Sequence, residues 1–318
     1  MYTHQTYTDR TRRVRTGEVI FMRIRKAGKI TDNLWYLGRE ESGVYLLEGA
    51  DNSIIINGGL SYILPDVLQQ MKDFGINMNK IKRLLVLHSH FDHAGIVPYF
   101  KRTYPEIDVC ASEPAWKIFS MPKAIEIMNQ FGQLVADRMG EGDGLKPYDH
   151  LWRDDITGTT VSEGNRIDLG GVELHIMETP GHSHCSITAY EPTMKALFAS
   201  DAVGIPYKDT AFPSGNTNYT QFQETLQRLR PLRVEYICAD HYGYIIGEEA
   251  STFIDESIEE ARKMRREMEN VYRKVGDIDV AAASITSTFY ERSPDYFISS
   301  DILEGVFKQM VKHLSKSM

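Results

Sequence analysis

His88, Ser89, His90, Phe91, Asp92 and His93 place three of the chain's ten histidines and a carboxylate within six residues. Metal ligation is the physical reason for such a density. The apolar run Ile81, Leu84, Leu85, Val86, Leu87 predicts a buried strand feeding straight into the cluster. On extended backbone, residues two apart point the same way, so His88 and His90 share one side. Asp92 and His93 leave the chain in different directions. That arrangement can serve two neighbouring metal ions rather than one.

Two ions held by imidazole and carboxylate need more ligands than these four, and candidates recur downstream. His182 sits in the tight loop Thr179-Pro180-Gly181-His182-Ser183-His184, after the predicted strand 172–177. Asp201 follows the apolar run Ala196-Leu197-Phe198-Ala199, and His241 follows Tyr236-Ile237-Cys238-Ala239-Asp240. Each lies just past a predicted strand, where a rigid sheet can hold a ligand in place.

The elements that must position these residues are readable in outline. Residues 34–37, 44–47 and 53–56 predict an antiparallel meander, broken by Gly43 and Asp51-Asn52. Residues 65–74 predict an amphipathic helix, 96–104 a second helix and 107–111 a strand. Ser112 is a candidate N-cap with Pro114 in the first turn, opening a methionine-rich helical insertion over about 112–148. Its stripe Ile125, Met128, Phe131, Val135, Met139 suits core packing, and its position suits a roof over a site. Strands follow at 166–169, 172–177, 187–190 and 196–199, then a helix at 217–229 and a strand at 234–238.

From about residue 248 the pattern is helical only, with Glu259–Lys263 and Glu269–Arg273 as i,i+4 pairs and Gly276 as a stop. The expected organisation is a basic arm at 1–20, one domain at 21–250 and a helical extension at 251–318. The apolar faces of that extension must pack on the chain's own domain or form a homodimer seam.

Composition bounds the function. Apolar residues at 42% and charged residues at 25% describe an ordinary globular chain of 318 residues. No apolar stretch approaches the roughly 20 residues that cross a bilayer, and the polar N-terminus lacks the apolar core of a secretory signal. A net charge of −8 argues against a nucleic-acid groove, apart from the arm carrying Arg10, Arg12, Arg13 and Arg15. Cys110, Cys185 and Cys238 are odd in number and far apart, which favours buried thiols in a reducing cytoplasm. The expected partner is a small-molecule substrate, with neither nucleic acid nor membrane.

HSHFDHAG (88–95), TPGHSHCS (179–186), SDAVG (200–204) and ADHYG (239–243), in that order, resemble the metallo-β-lactamase superfamily. The resemblance spans about residues 31–247. It implies an α/β (α+β) fold, a four-layer αββα sandwich with a two-metal site at one edge of its paired sheets. It also implies that His88, His90 and His182 bind one metal and Asp92, His93 and His241 the other, with Asp201 bridging. Two divalent ions are expected, zinc first by frequency, with iron or manganese compatible with the same ligands. Between two such ions a water is deprotonated near neutral pH and becomes a nucleophile. Asp92 is the candidate catalytic residue, able to orient that water and pass a proton to the leaving group.

Such chemistry suits a hydrolase of a small ester, thioester or lactone, with a phosphodiesterase as an alternative. Persulfide dioxygenases share the scaffold with iron, and a sensor or binding protein with a structural metal site is a third reading. His at position 90 argues against the flavodiiron branch, which resembles this chain but uses Glu there. The C-terminal helices look similar to those of glyoxalase-type thioesterases and of the quinolone-signalling thioesterase of pseudomonads.

Two departures stand out. Relatives usually carry Asp where this chain has Asn57, a weaker support for the metal loop. His184 and Cys185 replace small residues, which makes His184 a structural residue, a support of the ligands or a substrate contact. In the loops after Asp201 and His241, Tyr207, Phe212, Tyr219, Tyr242 and Tyr244 are candidates to line a pocket or simply to pack.

Overall fold

The computed structural model of the protein describes residues 23–316 and Met318; the basic arm expected at 1–20 lies outside the described residues. One sheet holds, in spatial order, β2 (Gly28–Lys29), β3 (Leu34–Gly38), β4 (Gly43–Glu48), β5 (Ser53–Ile56), β6 (Ile81–Leu85), β7 (Asp108–Ala111) and β8 (Gly158–Thr160). The other is ordered β1 (Arg23–Ile24), β16 (Tyr244–Ile246), β15 (Tyr236–Cys238), β12 (Ala196–Phe198), β11 (Ile187–Glu191), β10 (Glu173–Glu178) and β9 (Arg166–Asp168). A hairpin of β13 (Ile205–Tyr207) and β14 (Thr210–Phe212) stands outside both.

The first sheet is antiparallel from β2 to β5 and parallel from β5 through β6 and β7 to β8, whereas the second is antiparallel except where β12 runs parallel to β15. β5 and β12 read as near-continuous apolar runs because both of their faces are buried, whereas β6 carries an exposed Lys82 and a partly exposed Arg83. In β4, Tyr45 and Leu47 pack between the sheets while Val44 and Leu46 pack under helices. The same alternation puts Ile54, Ile56, Leu85, Leu87 and Phe198 into the inter-sheet core and Ile55, Leu84 and Val86 outside it. Each such side chain, fully buried, contributes about 1.5–3 kcal/mol.

Helices α1 (Leu64–Asp73) and α2 (Val97–Thr103) cover the first sheet, with α5 (Tyr219–Leu229) and α6 (Gly247–Val275) on the side of the second, completing the αββα sandwich. The insertion is α3 (Glu113–Phe119) and α4 (Pro122–Arg138), and Ser112 caps α3 by accepting the Ala115 amide at 3.3 Å. Of the α4 stripe, Met128 and Val135 are buried, whereas Met139 is exposed at its end.

The C-terminal extension is α6 with α7 (Ile278–Arg292) and α8 (Ser300–Ser315). Its apolar stripes are buried within the chain itself: Phe253, Ile258, Met268, Phe307, Met310 and Leu314 are in the core. Gly276 ends α6 in the left-handed conformation at φ 69°. One surface detail differs from expectation: Lys263 reaches Glu260, and Glu259 pairs with Arg262. On a helix the i,i+3 partner is as near as the i,i+4 one.

Candidate metal centre

Four strand ends converge at one edge of the sandwich. His88 follows β6, Asn57 follows β5, Asp201 follows β12 and His241 follows β15, so the two parallel pairs deliver their C-terminal ends to the same place. His182 arrives on the loop after β10, which turns at Gly181 with φ 132°. A Cβ there would lie 2.3 Å from the Phe222 amide nitrogen, so only glycine fits. Three non-glycine residues beside the ligands also adopt positive φ: Asn57 (69°), Ser200 (47°) and Tyr242 (60°). Strain of this kind collects where the surroundings over-determine a functional geometry.

The structure brings all seven expected ligands together. His182 Nε2 lies 3.2 Å from His88 Nε2 and 2.9 Å from His90 Nδ1, and those two are 3.2 Å apart. Nitrogens around a tetrahedral zinc stand about 3.3 Å apart for bonds of about 2.0–2.1 Å, so this triangle fits with a small expansion. Asp92, His93 and His241 form a second set, with His93 Nε2 3.1 Å from His241 Nε2 and Asp92 Oδ2 3.5 Å from the latter. Asp201 Oδ2 is 3.4 Å from both His182 Nε2 and His93 Nε2, between the two sets.

Each imidazole that presents Nε2 is held from its far side. His182 Nδ1 donates to the Ser214 carbonyl and His241 Nδ1 to the Glu41 carbonyl, both at 2.7 Å. A carbonyl only accepts, so Nδ1 carries the proton and Nε2 keeps its lone pair for a cation. His88 Nδ1 meets Ser200 Oγ at 3.2 Å.

The electrostatics divide the site. Burial and the neighbouring rings push His90 down to about 3 and hold His88 well below its ordinary value; burial also lowers His182. These are neutral donors. Burial opposes charge on His93 and His241 too, but the carboxylates of Asp92 and Asp201 outweigh it and raise both. In turn His93 leads the groups that keep Asp92 and Asp201 ionised against their burial.

Sequence reasoning did not find several neighbours. Asp240 meets His93 Nδ1 at 2.9 Å and accepts a close hydrogen bond from Asn57 Nδ2. Weaker support from Asn57 was the expectation, yet the carboxylate beside His93 comes from position 240. An ionisable side chain at an apolar strand end was the available signal, but only the fold says what it faces. Phe297, from the turn between α7 and α8, stacks on His241 with ring centroids 4.6 Å apart. Phe131 of α4 meets Phe91 at 5.5 Å, so the insertion lies against the ligand loop.

Other candidates scatter. His184 is exposed and has no hydrogen bond to the ligand set among the described residues. Tyr207 and Tyr242 join an aromatic cluster with Tyr296, and Tyr207 donates to Asp295 at 2.9 Å. Phe212 packs in that cluster too, but Tyr219 is buried beside α6 and Tyr244 lies between the sheets. All three cysteines are free and buried. Six ligands are buried, while His90 and the adjacent Phe91 are partly exposed, which places the entrance on their side.

Comparison with known proteins gives the family and the fold. The family model described as the metallo-beta-lactamase superfamily matches residues 37–241. A metallo-beta-lactamase fold-containing protein, ST1585, of Sulfurisphaera tokodaii is 24% identical over 65% of this chain and 74% of its own length. The Bos taurus acyl-coenzyme A thioesterase MBLAC2 is also 24% identical, over 53% of this chain and 61% of its length. Among solved structures, the metallo-beta-lactamase family protein TTHA1429 of Thermus thermophilus aligns with a TM-score of 0.64 and 16% identity, covering 91% of this chain and 95% of that one.

Proposed function

The chain belongs to the metallo-β-lactamase superfamily, and from that premise we propose that it is a dinuclear metal-dependent hydrolase of a small thioester, ester or lactone. One observation carries the reading: Asp201 Oδ2 stands 3.4 Å from a nitrogen of each ligand set. A carboxylate so placed suits two cations sharing one bridge. His88, His90 and His182 would hold the first, Asp92, His93 and His241 the second, with zinc the first choice and iron or manganese compatible. When bound, such ions lower the pKa of water and polarise the carbonyl under attack.

The chain's own residues do the rest. Asp92, ionised and 9% exposed, lies at the edge of the second set, where it can orient an attacking water and return its proton to the leaving group. Phe91, Tyr242 and Phe297 surround the site with apolar surface, which excludes water and suits an acyl chain rather than a highly charged phosphodiester. A relative named as an acyl-coenzyme A thioesterase supports a thioester as the first substrate class. No helix among the described residues is long and apolar enough to cross a membrane, and three buried free thiols support a reducing, cytoplasmic setting.

The test is metal analysis of protein purified without added metal, followed by a panel of acyl-thioesters, esters, lactones and phosphodiesters. Thioester turnover that disappears in His90→Ala supports the reading. A single iron with oxygen consumption would instead favour the dioxygenase alternative.

A further inference from the structure

We propose that Asp240 is a positioning residue of the second ligand set: its buried carboxylate orients His93 through Nδ1, and Asn57 is the amide matched to that charge. The inference rests on reading the seven residues as a metal site.

The geometry is direct. Asp240 is 1% exposed, and its Oδ2 lies 2.9 Å from His93 Nδ1. The other ring nitrogen, Nε2, faces Asp92, Asp201 and His241. An Nδ1–H donated to Asp240 therefore leaves the Nε2 lone pair aimed at the position a cation would take. His182 and His241 receive the same service from backbone carbonyls; His93 alone among the seven receives it from a charge.

Position 57 completes the arrangement. Asn57, fully buried, donates from Nδ2 to the same Asp240 Oδ2, and that nitrogen also lies 3.0 Å from His93 Nδ1 and 3.3 Å from Ser200 Oγ. Its Oδ1 accepts the Leu87 amide at 3.4 Å, in the strand end that carries His88. An amide can donate to Asp240 while accepting from that backbone, which an ionised carboxylate cannot do. A carboxylate at both positions would put two buried negative charges in contact, and one would have to take up a proton.

Asp240 Oδ1 is buried and finds no hydrogen-bond partner among the described residues, so the interactions of the group concentrate on the oxygen facing His93 and Asn57. That oxygen is where a positioning role needs them.

The experiment measures zinc affinity and stoichiometry by chelator competition in the full chain, for the wild type, Asp240→Asn, Asn57→Asp and the exchanged double variant. Asp240→Asn is expected to keep the first equivalent and lose about 10–100-fold in affinity for the second. Asn57→Asp alone should weaken the second equivalent as well, because the charges collide. The exchanged pair should recover much of the loss, since charge and amide still meet beside His93. Recovery in the double variant cannot come from a general fold defect, and it keeps the test decisive if one single variant folds poorly. Wild-type affinity for both equivalents in Asp240→Asn, or a double variant no better than Asp240→Asn, overturns the inference while leaving the metal site intact. A wild-type chain that takes up no zinc, iron or manganese overturns both.

Discussion

The ring of Phe297 rests on the ring of His241 at 4.6 Å, tilted by 32°. A residue between the last two helices thereby packs on a candidate ligand delivered by the second sheet. The C-terminal extension is part of the site wall.

Phe297→Ala should separate wall from ligands. The side chain is 8% exposed, so its loss should cost about 3 kcal/mol of stability. Metal content should remain unchanged, while KM for an apolar acyl substrate rises about tenfold, equivalent to ~1.4 kcal/mol of lost contact. Thermal unfolding and steady-state kinetics read the two effects. An unchanged KM would mean that substrate does not touch this wall.

Asp92→Asn keeps the shape of the side chain but removes its capacity to carry a proton. With metal in excess to offset weaker ligation, kcat should fall by about 10²–10⁴. Retention of wild-type kcat would remove Asp92 from proton transfer and leave it a ligand only.

The pH dependence has opposite signs on two sides of neutrality. His88, His90 and His182 are held below their ordinary value in the folded chain. The unfolded chain therefore binds more protons below about pH 6.5, and stability of the metal-stripped protein falls as pH drops. His93 and His241 are raised, so their contribution is present below about pH 6.5 and lost as pH climbs through their folded values. Metal-stripped protein should be most stable near pH 6.5, by denaturant titration across pH 5–9. Zinc must displace the protons on His93 and His241, so its affinity should rise over the same range in which metal-free stability falls. Calorimetry in buffers of different ionisation enthalpy counts the protons released; none at pH 7 would contradict the raised values.

Gly181→Ala should disable the loop that delivers His182. The position combines φ 132° with a Cβ site 2.3 Å from the Phe222 amide nitrogen. Backbone strain alone costs about 1–3 kcal/mol, and the clash adds to it. Loss of stability should accompany loss of the metal equivalent bound through His182, measured by unfolding and metal analysis. Full metal occupancy at wild-type stability would show that the loop can be rebuilt.

By itself the sequence determined the candidate ligands and the order of the elements around them. His88, His90, Asp92 and His93 cluster because one strand end presents them together, and such short-range spacing survives in a linear string. The amphipathic helices were legible for the same reason: their period is local. The tertiary structure alone decided what faces what across the site. Asp240 is 147 residues from His93 in the chain yet 2.9 Å from it in the fold, and Phe297 reaches His241 from the turn between α7 and α8. The short strands β8, β13 and β16 were equally hidden; β8, Gly-Thr-Thr and exposed throughout, carries no apolar residue to mark it. β5 and β12, buried on both faces, show no alternation from which to read which residues face the partner sheet. Candidate ligand types are a property of the chain, whereas their orientation is a property of contacts made between residues far apart in it.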